Sequence, residues 1–435
     1  MDQKNEKSID KSENQVIENQ EKSFSDYIQA FKNKKGESLE KDPKYAALVK
    51  EHKFWDTQPV PKITETPENI SGPISESKRT FSDLTKLPAD FKWKEIDLCD
   101  DNQIQLLYQL LYENYVEDDE GEFRFNYSID FLRWALLPPN SEKDLYFGIT
   151  HGQDNKLVGF ISGLIVELEI EGKHVKASEV NFLCVKKEFR SHSMASVLIK
   201  ELVRRSNLLG VWQGIYTSGT LLPTPFSQAR YYHRNLNFKK LTEVRFSYLP
   251  PNQKLSVHEK LYELPECREL SPGMKLRETR ESDLKAIRTL LLEKLKKSSI
   301  HQSYSKKETA HWFTHRPGIL ESYVIETNGK ITDFFCFYCI CSSILNNKKY
   351  KEIKAAYSYY FVNGELTTEE LYQFALLKAK ENGYDVLNAL DIMDNPTIFE
   401  NLKFKPGDGY LNYYLYNWRL SNKFILPSQI GIVLM

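Results

Sequence analysis

The sequence predicts a mixed α/β (α+β) fold made of two tandem copies of one unit, related by pseudo-twofold symmetry around a continuous, mostly antiparallel sheet. Three observations carry that expectation. Similar segments recur about 177 positions apart. Strand-like and helix-like periodicities follow one another in the same order in both copies. The 435 residues are 41% hydrophobic and 13% aromatic, enough to bury one large core.

The repeats justify the elements in order. Residues 94–115 (KEIDLCDDNQIQLLYQLLYENY) resemble residues 276–297 (LRETRESDLKAIRTLLLEKLKK). Each reads as a short strand, an Asp-containing turn and a helix of period near 3.6. Tyr127-Ser128 with Trp134 then matches Tyr304-Ser305 with Trp312, at offsets of 177 and 178. Residues 144–164 match 321–341, each an expected hairpin with Asn, Gly or Asp between apolar runs. Asn235-Leu236-Asn237-Phe238 matches Asn401-Leu402-Lys403-Phe404 at offset 166. EVNFLCV is a buried strand; the helix after it puts Met194, Val197, Leu198 and Leu202 on one face and ends before Gly210. Its counterpart opens on Thr367 and Glu370, a capping-box spacing, and stops near Gly383. Each half reads strand, helix, helix, β-hairpin, strand, helix, strand, helix, strand. That order resembles the GNAT acetyltransferase superfamily, so two GNAT-like halves are expected, over 43–265 and 266–435.

Residues 1–42 are rich in Lys, Glu, Asn, Gln, Ser and Asp, and read as a disordered polar tail. KFWDTQPVP begins the ordered part, its prolines favouring an extended path. With 59 Lys+Arg against 60 Asp+Glu, no global basic field points to nucleic acid or to an anionic membrane. Six cysteines without an N-terminal apolar segment fit a reduced, cytoplasmic setting, and no apolar run is long enough to span a bilayer. Asp2 follows Met1, so the chain does not offer an N-terminal glycine for acylation.

Between the buried strand and its helix stands Arg190-Ser191-His192-Ser193-Met194-Ala195. Free amides at a helix start, with a nearby guanidinium, suit a pyrophosphate, although a solvated turn has the same composition. Cys336, Cys339 and Cys341 sit among strand-forming aromatics with no second CxxC, so no metal site is expected. Cys184 reads as a small core residue rather than a nucleophile.

The stretches KFWDTQPVP, ENYVEDDEGEFRFNYS, VNFLCV, LIKELVRR, IYTSG, RYYHRNLN, KAAYSYY, VLNALDIM, GDGYLNYYLYNW and GIVLM resemble, in order, the signature stretches of the N-myristoyltransferase family. The resemblance spans nearly nine-tenths of the chain. It implies transfer of a myristoyl group from myristoyl-CoA, a co-substrate rather than a cofactor, to the N-terminal glycine amine of peptides and nascent proteins. It further implies a monomer, with the polar tail a candidate ribosome contact. It places His52, Lys53, Phe54 and Trp55 around the CoA, together with Leu183 and Val185, and puts Arg190, Ser191, His192, Ser193, Met194 and Ala195 at its phosphates. The backbone N–H groups of Phe182 and Leu183 become the oxyanion hole. Asn181 and Thr217 hold the substrate amine, and the carboxylate of Met435 is the base. That last assignment has separate support, since Ile430-Gly431-Ile432-Val433-Leu434-Met435 is apolar and should be buried, where a frayed end is usually polar. Tyr115, Phe123, Phe125, Tyr231, Tyr357, Asn388 and Leu411 line the implied peptide groove. His233 and Ser342 meet a small hydroxyl residue of the substrate, and Asp118, Asp119 and Asp408 attract a downstream Lys or Arg.

The sequence departs from the family pattern at Arg190-Ser191-His192-Ser193, where a doubly basic stretch such as RSKR is usual; Lys186 and Lys187 could substitute. Ser218 replaces the alanine of YTAG, Tyr232 a common Trp, and Met435 the expected terminal Leu or Gln. Two alternatives stay open: an acyl-CoA- and peptide-binding module that has lost catalysis, and an acetyltransferase using short acyl chains.

Overall fold

The structure is a computed structural model that describes residues 51–435 apart from 63–64, 66–69, 77–82, 119, 265, 267–268 and 423. The polar tail, its ribosome contact and Asp119 therefore lie outside the described residues.

The first half runs β1 (Phe91–Glu95), α1 (Asp101–Asn114), β2 (Phe123–Asn126), α2 (Ile129–Leu136), β3 (Tyr146–His151), β4 (Lys156–Ile170), β5 (Lys173–Val185), α3 (Met194–Leu208), β6 (Gln213–Ser218) and β7 (Ser227–Asn235). Two short helices, α4 (Phe238–Glu243) and α5 (Leu255–Leu261), lead into the second half. That half repeats the order as β8 (Met274–Glu278), α6 (Leu284–Leu295), β9 (Ile300–Ser303), α7 (Lys306–Phe313), β10 (Leu320–Thr327), β11 (Lys330–Ile344), β12 (Glu352–Val362), α8 (Thr368–Glu381), β13 (Val386–Leu390) and β14 (Lys405–Tyr416), with β15 (Ile430–Gly431) after it.

Local chemistry explains why the repeat folds twice alike. Ser128 caps α2 by accepting from the Phe131 N–H, and Ser305, 177 positions on, caps α7 by accepting from the Glu308 N–H. The order of the main sheet is β1-β3-β4-β5-β6-β14-β7-β13-β12-β11-β10-β8, which reads as the same series of equivalent strands from either end. Each half gives its last strand to the other, β14 lying against β6 and β7 against β13. The short strands cross as well, β2 pairing β11 and β9 pairing β4. Neither half can satisfy its backbone alone, so the duplication folds as one sheet. On the pseudo-twofold axis Trp134 Nε1 donates to the His311 carbonyl at 3.2 Å, while His311 Nε2 lies 2.7 Å from the Trp134 carbonyl.

One core cluster, on the face carrying α1, α2 and α6, is shared by both halves; two smaller clusters pack α3 and α8 against the opposite face. Cys336 falls in the shared cluster and Cys339 in the α8 cluster, so these two thiols of CFYCIC face opposite sides of one strand.

Four details differ from the sequence reading. The brief strands β2 and β9 fall between the first two helices of each half. The expected helix before each last strand is a loop over 219–226 in the first half, where Pro223 and Pro225 remove N–H donors, and a 3-10 turn, Asn395–Ile398, in the second. Trp55–Thr57 makes a 3-10 turn before the chain extends at Gln58. The match at offset 166 does not relate equivalent positions, because Asn235 ends β7 while Asn401 precedes β14.

Candidate active site

β5 and β6 run parallel and pair only from Ala177 to Val180 on β5 and from Gln213 to Tyr216 on β6. Beyond that point β5 bonds to β4 alone and β6 to β14 alone, so the sheet splays open. Asn181 and Thr217 are the first residues past the split. On the open side Phe160 pairs Cys184 but Ser162 pairs Asn181, which leaves Phe182 and Leu183 opposite Ile161 alone. This β-bulge is made possible by a left-handed Phe182 at φ 53°. It takes the Phe182–Leu183 backbone out of the regular ladder at the mouth of the cleft. The phenyl ring of Phe182 is buried, so only backbone there can meet a ligand. Tyr115 stands over the bulge, its ring 6.0 Å from that of Phe182; burial pushes its phenol up, and the Phe182 N–H partly offsets this.

After β5 the chain makes a 3-10 turn, Lys187–His192, and enters α3 through Ser193 at φ 57°, with no side-chain cap. An uncapped helix start with exposed Ser191, His192, Ser193 and Ala195 suits an anion. Met194 and Val185 are buried core residues, so at those positions a ligand would meet backbone. Arg190 braces the turn: Nε donates to the Val185 carbonyl at 3.1 Å and Nη2 to the Asn114 carbonyl at 2.6 Å. Lys186 pairs with Glu188 and Lys187 with Glu117, so neither lysine stands unpaired beside the loop.

The segment His52–Val60 closes the same side. Trp55 stacks on Tyr216 with centroids 5.7 Å apart, and Tyr216 in turn on Tyr414 at 4.9 Å. Phe54 packs edge-on to Trp55 and beneath Lys200 of α3, while the His52 N–H bonds the Asp56 carboxylate at 2.7 Å. Lys53 is exposed.

The aromatic positions named for a groove come together across neighbouring strands. Phe125 on β2 is the register partner of Ser342 on β11, and its ring lies 6.4 Å from that of Tyr357 on β12. Tyr357 is opposite Asn388 on β13, which is opposite His233 on β7, and Tyr231 lies 6.4 Å from Tyr357. His233 Nδ1 is 2.7 Å from the Asn388 amide oxygen, so Nδ1 carries the proton and Nε2 is left as an acceptor. Burial lowers the His233 pKa and keeps the ring neutral. A bulge in β14, Gly407-Asp408-Gly409, arches over it between Pro406 and Tyr410. A Cβ at Gly407 would sit 2.1 Å from His233 Nε2, so only glycine fits. Asp408 is exposed on that arch, and Leu411 follows it. Phe123 packs on Phe246. Asp118 closes the loop beside α1, its carboxylate accepting from the Phe123 N–H at 2.7 Å.

The chain end lies where the apolar run predicts. Ile432, Val433 and Leu434 are buried and Met435 packs half-buried against the shared core. Tyr360 bonds the Gly431 carbonyl at 3.4 Å and Tyr304 at 3.0 Å. Cys184 is a poor nucleophile here, because burial pushes its thiol up to about 12.

Sequence reasoning missed Tyr127, Tyr338 and Tyr413, which join the groove aromatics in the core cluster, and it missed Glu179. Glu179 is 8% exposed; burial raises its pKa from 4.5 to about 7, and the bond from Asn181 Nδ2 at 2.7 Å opposes this. A carboxylate two residues before an amide on one strand shares its face, and that spacing was the available signal.

A cleft bounded by a bulged strand edge, a helix start open to an anion and an aromatic groove defines the class: an acyltransferase of duplicated α/β architecture. Family models for the N-terminal and C-terminal domains of myristoyl-CoA:protein N-myristoyltransferase match residues 73–229 and 243–433. A glycylpeptide N-tetradecanoyltransferase of Plasmodium falciparum is 44% identical over 389 residues, 88% of this chain and 94% of that protein. A probable one from Caenorhabditis elegans is 43% identical over 394 residues, covering 89% and 86%. The solved structure of Saccharomyces cerevisiae N-myristoyltransferase with bound myristoyl-CoA superposes with a TM-score of 0.83 at 36% identity, covering 89% of this chain and all of that one. The chain belongs to the myristoyl-CoA:protein N-myristoyltransferase family. Among the described residues no helix is long and apolar enough to cross a membrane.

Proposed function

We propose that this enzyme transfers a myristoyl group from myristoyl-CoA to the N-terminal glycine amine of peptides and nascent proteins by direct attack. The observation that carries the reading is the bulge at Phe182–Leu183, set in the β5–β6 split beside the uncapped start of α3. CoA phosphates settle on the α3 start, with Phe54 and Trp55 against the nucleotide. The thioester carbonyl then points its oxygen at the Phe182 and Leu183 N–H groups, donors fixed before charge develops.

The glycine amine is held by Asn181 and Thr217. Because it is largely ammonium near neutral pH, it must first lose a proton, which the Met435 carboxylate takes. The amine then forms a C–N bond to the thioester carbon. The C–S bond breaks, CoA leaves as thiolate and is protonated, and the amide nitrogen loses its second proton. With its Nε2 lone pair available, His233 accepts from a substrate hydroxyl further along the groove, and Asp408 attracts a substrate cation.

The deciding experiment incubates the full chain with myristoyl-CoA and a Gly-x-x-x-Ser-Lys peptide and reads the peptide by mass spectrometry. Addition of one myristoyl group at the glycine amine is expected. Binding of a non-hydrolysable myristoyl-CoA analogue with no acylated peptide would overturn the reading in favour of a binding module.

A further inference from the structure

Glu179 is a buried carboxylate that the proposed mechanism does not use. It lies on β5 two residues before Asn181, opposite Leu164 of β4 and Ile215 of β6, at the last turns of the ladder before the sheet splits. Its Oε1 accepts from Asn181 Nδ2 at 2.7 Å, a bond between two buried side chains. Among the described residues no cation offsets its burial; the groups that feel its charge are the phenols of Tyr359 and Tyr360 on β12. A carboxylate kept in such a place without an ion pair weakens the fold. Retained charge of that kind is characteristic of a functional site.

Hydrogen-bond valence says what it does. Once ionised, above about pH 7, the Glu179 carboxylate only accepts, whereas the Asn181 amide has a donating and an accepting end that differ little in shape. Beside Glu179 the NH2 end is the one that can be satisfied, so the amide cannot rotate without leaving two buried groups unpaired. We propose that Glu179 is a positioning residue for acyl transfer: its carboxylate holds the Asn181 amide nitrogen and so fixes the amide oxygen as the acceptor offered to the substrate amine. The inference rests on the acyl-transfer reading above, and wild-type turnover tests that reading separately.

The test compares Glu179→Gln, Glu179→Met and Asn181→Ala, singly and combined, in steady-state assays with myristoyl-CoA and the Gly-peptide. Glu179→Met keeps the volume but offers no oxygen acceptor; kcat should fall on the order of 100-fold, with the KM for myristoyl-CoA unchanged. Glu179→Gln, which can still accept through its amide oxygen, should retain most of kcat. In the Asn181→Ala background Glu179→Met should cost no further activity, since the residue acts through Asn181. Wild-type kcat in Glu179→Met overturns the proposal. So does a loss that persists in full on Asn181→Ala, or a Glu179→Gln loss as large as that of Glu179→Met. If Glu179→Met does not fold, Glu179→Ala, which also removes the oxygen acceptor, takes its place in the cycle with Asn181→Ala: additive losses overturn the proposal and a common loss supports it.

Discussion

The two halves carry the same backbone device and put it to different use. In each, a long hairpin strand pairs in parallel with the next strand for only a few residues and then splits away: β5 from β6 after Val180, β12 from β13 after Tyr357. In each, the strand is bulged past the split, at Phe182–Leu183 and at Tyr359. The first split stays open, and the helix behind it, α3, starts without a side-chain cap. The second is filled from within. Tyr372, the fifth residue of α8 as Leu198 is of α3, stacks on Phe361 at 3.8 Å and bonds Ser358 and Asn395 at 2.6 and 2.8 Å. The start of α8 is closed by Thr367 and Glu370, with Glu369 and Glu370 adding negative charge where α3 would accept a phosphate. Duplication has thus left one split open, where the proposed reading puts the thioester, and turned the other into core.

The comparison breaks most readily at the chain end, which lies in the shared core. Adding Gly-Ser after Met435 moves the carboxylate away and should lower kcat by about 10²- to 10⁴-fold, the range typical of a general base. The thermal melt and acyl-CoA affinity should hold; undiminished turnover assigns the base elsewhere. Next in size is the filled split. Tyr372→Ala removes a stacked ring and two hydrogen bonds, and should cost about 3–5 kcal/mol in urea unfolding. The KM for myristoyl-CoA, measured below the melting range, should not change. A marked rise in that KM would mean that the second split communicates with the first.

Much of this was legible in the sequence, for identifiable reasons. Helices and hairpins repeated because their caps and turn residues repeat, as at Ser128 and Ser305. The groove residues were placed through the resemblance, and the strand register brings Phe125, Ser342, Tyr357, Asn388 and His233 side by side. What a linear reading could not reach depends on pairing between distant strands. The exchange of β7 and β14 has no local signature, nor does the point where β5 leaves β6. The charge of Arg190 is visible in the sequence, whereas its bracing bonds to the Val185 and Asn114 carbonyls are not. Glu179 was overlooked because a Glu in a strand usually faces solvent, and only the structure shows it buried.

That buried carboxylate sharpens the comparison through pH. Its pKa rises from 4.5 to about 7 on folding, so between those values the folded protein binds more protons than the unfolded chain. Stability must therefore fall as pH rises through that window, by up to about 3 kcal/mol at 1.36 kcal/mol per pKa unit. Glu179→Gln removes this loss. Its stability should exceed wild type above pH 7 and converge with it near pH 4.5, as urea titrations across that range would reveal. Parallel curves would show that the group ionises alike in both states.

The smallest effects test the two helix starts directly. Thr367→Ala deletes a cap and should cost about 1 kcal/mol, whereas Ser193→Ala deletes none and should stay within about 0.5 kcal/mol of wild type. Ser193→Asp brings a negative charge to the α3 start, where it would favour the helix dipole but repel a phosphate. The KM for myristoyl-CoA should rise about five- to tenfold, with kcat little changed. Thr367→Asp, which keeps a capping oxygen on α8, should leave that KM alone. If both Asp variants shift it equally, the effect is one of net charge and the α3 start is not the phosphate site; if only Ser193→Asp does, the lack of a cap on α3 is what separates the working cleft from its filled copy.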